Sequence, residues 1–226
     1  MLKPIIKAAA VVVVVMLVAV GVFAQTKSAP SVTTFKDSRD GKTYKIVKIG
    51  SQKWFAENLN YAANGSKCYG EGGVAVDGWD EDGDSINPTK LSNAEVQANC
   101  AKYGRLYNWK TALTACPAGT HLPTDKEWTI LVDYVGRETA GKKLKSTAGW
   151  NENGNGTDEY AFSALPGGYG YSVGSFGNAG NSGHWWSTTE NDAYYAWYRY
   201  IYYDRERMYR RYNYKTSLYS VRCVQD

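Results

Sequence analysis

Three strand-like runs close this chain, at 193–203, 208–214 and 219–224, with polar turns at Asp204–Arg207 and Lys215–Ser217 between them. Strands joined by turns this short pair antiparallel, so the end of the chain predicts a meander. Side chains alternate across a strand. In the first run Tyr194, Ala196, Tyr198, Tyr200 and Tyr202 share one side, and Tyr195, Trp197, Arg199, Ile201 and Tyr203 the other. The second run sets Tyr209, Arg211 and Asn213 against Met208, Arg210, Tyr212 and Tyr214. In the third, Tyr219, Val221 and Cys223 are expected inward, with Ser220 and Arg222 facing out.

Helical signals come earlier. Ser92 with Glu95, and Thr124 with Glu127, are capping boxes that satisfy the first amides of a helix. The second helix is predicted over about 125–135, with Trp128, Leu131, Val132 and Val135 on one face and a stop at Gly136. Between the two boxes Leu106–Ala115 has helical spacing up to Cys116-Pro117. Alternating runs at Thr43–Ile49 and Gln52–Phe55, around Gly50-Ser51, predict a hairpin. The Gly-, Asp- and Asn-rich stretches 70–91 and 151–183 read as long loops, the second broken only by Phe162–Leu165. Helices first and strands after indicate an α+β domain.

The N-terminus sets the compartment. Lys3 and Lys7 precede an apolar run that ends at Val22-Phe23-Ala24, the form of a signal peptide over 1–24; a retained anchor is the alternative. No cysteine follows the cut, which argues against a lipoprotein. Small polar residues 25–34 then form a linker, and 35–226 a single domain. Contact with the membrane would be transient, through the signal peptide alone. Without Lys3 and Lys7 the formal charge falls from +4 to +2, too little for a nucleic-acid binder. In an exported chain four cysteines are expected as two disulfides, and they allow three pairings.

The chemistry of the meander is that of recognition. Tyr carries a stiff apolar ring with a polar tip, and Arg a planar fork of donors. The strands hold more of both than a core needs, since each buried hydroxyl or guanidinium demands partners. We take Tyr198, Tyr200, Arg210, Tyr212 and Tyr214 as the candidate ligand-binding set, against aromatic ladders that only fill a core. Asp80, Asp82 and Asp84 alternate around Gly83 and offer oxygen ligands for Ca²⁺, although the closing Glu of an EF-hand loop is missing. A second oxygen-rich run spans Asn151 to Asp158. No other cofactor is expected. Gly170-Tyr-Ser172-Val-Gly174 matches a hydrolase elbow in letters, yet SFGNAGNSG after it cannot supply the helix that elbow needs. Asp158, Glu159 and Glu190 are the carboxylates a glycosidase could draw on, and no spacing pairs them.

DSRDGKTYKIVKIGSQKWFAENLNY (37–61), NCAKYGRLYNW (99–109), ACPAGTHLPTDKEW (115–128), GTDEYAFSALPGG (156–168), HWWSTTE (184–190) and SVRCVQD (220–226) occur in order. Together they resemble the Fibrobacter succinogenes major paralogous domain, a family of secreted bacterial proteins. That family is similar to the C-type lectin-like fold of formylglycine-generating enzymes and of retroelement-diversified variable proteins. The resemblance implies two main helices on a small twisted antiparallel sheet with long irregular loops. It also implies a Cys116–Cys223 disulfide, which leaves Cys68–Cys100. Formylglycine-generating enzymes use a cysteine pair near their C-terminus; here only Cys223 stands there, so the likeness is one of fold. The expectation is a secreted or cell-surface binding module, monomeric, for a polysaccharide or a surface protein. The alternatives are a secreted glycoside hydrolase and a structural envelope protein.

Overall fold

The computed structural model describes residues 30–79 and 85–226. The expected signal peptide (1–24), the residues 25–29 of the expected linker, and Asp80, Asp82 and Asp84 lie outside the described residues. Val32–Lys36 is a strand, β1, whose first three residues fall in the expected linker.

β1 pairs antiparallel with Thr43–Ile49 (β2), and β2 turns through Gly50 into Gln52–Phe55 (β3). Gly50 sits at φ 61°, a left-handed backbone that a side chain resists. The hairpin has the bounds its alternation predicts. Val74–Val76 (β4), Gly78–Trp79 (β5) and Ser85–Ile86 (β6) then interrupt what reads as a loop. Asn93–Tyr103 (α1) follows the Ser92 capping box. Leu106–Tyr107 (β7) and the single-turn helix Trp109–Ala112 (α2) replace the longer helix predicted there. Asn108 divides them because its side chain accepts from the Thr111 amide and starts α2.

Thr120–His121 (β8) leads into Asp125–Val135 (α3), which the Thr124–Glu127 box caps and Gly136 ends, as predicted. A short helix, Ala140–Leu144 (α4), follows. The Gly-rich stretch yields Gly167–Gly170 (β9), Ser175–Ala179 (β10) and the start of Ser182–Glu190 (β11), so it is strand as well as loop. Its glycines let backbones meet. A Cβ on Gly73 would stand 1.8 Å from the carbonyl oxygen of Gly174, where β4 joins β10. The chain ends with Tyr195–Tyr202 (β12), Tyr209–Tyr214 (β13), Tyr219–Ser220 (β14) and Val224–Gln225 (β15).

The strands build a five-stranded sheet, β1-β2-β3-β15-β8, and an eight-stranded one, β13-β12-β11-β9-β10-β4, with β14 against β11 and β7 beyond it. The small antiparallel sheet expected is therefore larger and mixed: β4–β10, β9–β11 and β11–β14 are parallel. Only β12 and β13 form the expected meander; β14 leaves it to pair with β11 and β7. The architecture is α+β, dominated by sheet. α3 buries Trp128 and Leu131 in one core with Val47 and Trp54 of the five-stranded sheet and Trp185 and Ile201 of the eight-stranded one, and the Trp128 ring meets both Trp54 and Trp185. A second core lies across β11, around Trp186, Tyr107 and Phe55.

Both disulfides are present: Cys68–Cys100 fastens the segment before β4 to α1, and Cys116–Cys223 fastens the end of the α2 region to the segment before β15. These are the pairings the resemblance implies. Among the described residues no helix is long and apolar enough to cross a membrane, and no group of three or more His, Cys, Asp or Glu is placed to hold a metal.

Candidate binding face

The register of β11, β12 and β13 decides which side chains share a face. Trp186, Tyr198 and Arg211 lie abreast, as do His184, Tyr200 and Tyr209. On the opposite face Trp185, Arg199 and Arg210 lie abreast, and next to them Trp197 with Tyr212 and Tyr195 with Tyr214. The five residues singled out from the sequence are thus divided. Tyr198 and Tyr200 point one way; Arg210, Tyr212 and Tyr214 point the other.

The first face carries a continuous aromatic stack. His184 lies parallel to Tyr200 (5.7 Å, 15°) and to Tyr219 (5.1 Å, 26°), and Tyr198 tilts over Tyr219 at 4.6 Å. Tyr200 stacks on Tyr209 across the strands at 5.2 Å and 18°. The inner end of this face is core: Trp186, Tyr198, His184 and Tyr219 are all buried. Tyr198 is only 6% exposed, and burial pushes its hydroxyl up to about 12. Burial likewise pulls His184 down to about 3, so the ring is neutral. Its Nε2 stands 2.8 Å from the Ser182 hydroxyl, and among the described residues its Nδ1 has no hydrogen-bond partner.

The outer end is open. Tyr169, Tyr171, Tyr200, Tyr202 and Tyr209 are half-buried there and Arg211 is exposed. Tyr200, Tyr202 and Tyr209 line a shallow cleft of about 500 Å³ together with the Tyr203–Arg205 turn. Tyr202 stands perpendicular to Tyr200 (5.4 Å, 78°), whereas Tyr209 lies stacked against it. Each ring has one side fixed by a neighbour.

The second face is partly roofed by α3. Asp125, at the first turn of α3, accepts from Arg199 Nη2 at 2.9 Å and from Arg210 Nε at 2.8 Å. Arg199 is buried, and burial lowers its pKa. The Arg210 guanidinium lies 3.3 Å over the Trp197 ring. Beyond α3 the aromatics emerge: Tyr212 and Tyr214 are 50% and 55% exposed.

The remaining candidates are placed elsewhere. Ser172 lies in the turn between β9 and β10, so a strand follows it where a hydrolase elbow needs a helix. Asp158 accepts from the Ser163 amide and hydroxyl at 2.7 and 2.6 Å, and Glu190 pairs with Lys215 at 3.0 Å. Ser220 and Arg222, expected outside, are completely enclosed. Tyr169, Tyr171, Tyr202, Tyr209 and Arg211 were not singled out from the sequence. A signal for two of them is there: Gly-Tyr-Gly-Tyr at 168–171 alternates as a strand does.

No curated protein and no solved structure matches the chain. Residues 47–225 match the Fibrobacter succinogenes major domain, a span from the second half of β2 to β15 that includes the whole eight-stranded sheet and both aromatic faces but not β1. The chain belongs to the Fibrobacter succinogenes major domain family.

Proposed function

We propose that this protein is an exported binding module of C-type lectin-like fold that takes a polysaccharide on the outer tyrosines of its eight-stranded sheet. One observation carries the reading: Tyr200, Tyr202 and Tyr209 are half-exposed on a single face and line one open cleft. Aromatic rings offer an apolar surface to the C–H face of a sugar, and their hydroxyls offer hydrogen bonds at its rim. The buried His184, Tyr198 and Tyr219 stiffen the platform from behind, which lowers the cost of ordering it on binding. Two disulfides suit an oxidising compartment and agree with export by the signal peptide. A glycosidase fits less well, because Asp158 is committed to Ser163 and Glu190 to Lys215.

A glycan array with the mature protein tests this reading. Tyr200→Ala and Tyr209→Ala are each expected to weaken binding about tenfold, the weight of ~1.4 kcal/mol of ring contact. Tyr198→Ala should lower stability instead. An array silent for the wild type would remove the proposal. A second reading rests on the other face, where Trp197, Arg210, Tyr212 and Tyr214 have the composition of a protein hot spot. Under it, Arg210→Ala and Tyr212→Ala would abolish binding to a surface protein and leave the array untouched.

A further inference from the structure

Next to the tyrosine face lies a cleft of about 450 Å³, bounded by the start of α2, the β9–β10 turn and the β13–β14 turn. Three lysines line it, Lys67, Lys110 and Lys215, with the Tyr171 ring, Thr216 and the apolar side of Leu218, and among the described residues no carboxylate does. Lys215 is neutralised by Glu190 at 3.0 Å and lies over the Trp109 ring at 4.7 Å. Lys67 and Lys110 have no ion-pair partner among the described residues. A chain with a formal charge of only +4 has thus placed two unmatched positive charges in one concave site. The other large cleft of mixed charge, around Lys142 and Lys145, is balanced by Glu152, Asp204 and Glu206.

An ammonium is a compact charge on a flexible stem, suited to a carboxylate or sulfate whose orientation varies. The wall beside it is aromatic, and the hydroxyl of Thr216 adds a hydrogen-bonding group. That combination fits a sugar that carries an acid group. The cleft also adjoins the outer tyrosines: Tyr171 meets Tyr169 edge to face at 5.4 Å, and Tyr169 meets His184 at 5.0 Å. We infer that this cleft binds an anionic saccharide unit, its carboxylate or sulfate held by Lys67 and Lys110 and its ring against Tyr171. The inference rests on the glycan reading above and narrows it to acidic polymers.

Calorimetric titration with matched pairs of polymers tests it: oligogalacturonate against its methyl ester, and dextran sulfate against dextran. The charged member of at least one pair should bind at least about tenfold more tightly than its neutral partner, and the pair that responds tells carboxylate from sulfate. Binding should weaken as sodium chloride rises from about 0.01 M to about 1 M and the screening length shrinks. Lys67→Gln/Lys110→Gln should remove the preference for the charged member. Lys36→Gln/Lys126→Gln, which deletes the same charge from exposed sites outside the cleft, should leave it intact. Lys110→Gln alone, on an exposed side chain, keeps the comparison available should the double variant fold poorly. Equal binding of charged and neutral members, or equal loss in the two lysine pairs, overturns the inference and leaves the glycan reading standing. If no polymer of either kind binds, both fall.

Discussion

Arg222 shows how far a single side chain can depart from its local pattern. Its guanidinium is wholly buried, and among the described residues no carboxylate pairs with it. It donates instead to Asn58 Oδ1 at 2.9 Å, to the Phe55 carbonyl at 3.1 Å and to the carbonyls of Phe162 and Ser163. Those last two matter because Ala161 and Ser163 hold left-handed backbones, with φ 52° and 51°, that need outside support. Arg222→Met should therefore cost about 3–5 kcal/mol, since it strips partners from several enclosed acceptors at once. Denaturant unfolding measures it; a loss below ~1 kcal/mol would show that water or relaxation replaces the guanidinium. His121 is the contrasting, exposed case. Burial alone would lower its pKa, but Glu127 at 2.8 Å and Asp226 at 2.6 Å outweigh that and raise it above 6.5. A raised base stabilises the fold below its unfolded pKa, and that contribution is lost as pH rises through the folded value. Between about pH 6 and pH 8 the wild type should lose a few tenths of a kcal/mol, a small figure because solvent screens the pair. Thermal midpoints at the two pH values should show a slope that His121→Gln lacks.

At the level of elements, α3 holds β12 and β13 in place. Its Asp125 bridges Arg199 of β12 and Arg210 of β13, and the Arg199 side chain also reaches Thr129 at 2.7 Å. Asp125→Ala leaves Arg199 buried without its anion, for an expected cost of about 2–4 kcal/mol. It should also loosen β13, so the variant is predicted to lose affinity on the tyrosine face together with stability. Affinity unchanged in a folded Asp125→Ala protein would show that β13 is held by its pairing to β12 alone. Elements whose signals are local were legible. The β2–β3 hairpin and the two capped helices need only alternation, a glycine and a side chain three residues on. Elements that exist through distant partners were not. β4 and β10 are strands because each lies alongside the other, and their glycines signal close approach only once the neighbour is known. Leu106–Ala115 reads as helix by spacing, yet β14 draws Leu106 and Tyr107 into the sheet.

For the molecule as a whole, the two disulfides close very different loops. Cys116–Cys223 spans 107 residues and ties the last strands to the α2 region, whereas Cys68–Cys100 spans 32. Loop-closure entropy assigns about 5 kcal/mol to the first and about 4 to the second, so Cys116→Ser/Cys223→Ser should destabilise by ~1 kcal/mol more than Cys68→Ser/Cys100→Ser. Comparison of unfolding midpoints in the two pairs checks the order; the reverse order would show that local strain or residual structure dominates. The larger loop encloses α3 and the β9–β13 region, so its loss should also disturb the candidate binding face. By themselves the residues of this chain determined the α+β class, the caps, the first hairpin and the family, because each of these depends on a few neighbouring side chains or on letters in order. Tertiary structure decided which tyrosines meet solvent. Alternation assigns side chains to two faces of a strand, but only the register of β13 on β12, the roof of α3 and the core around Trp186 decide which face is covered and where along it the cover ends. That is why Tyr198 is enclosed, Tyr200 half-open, and Tyr212 turned away from both, although all three look alike in the sequence.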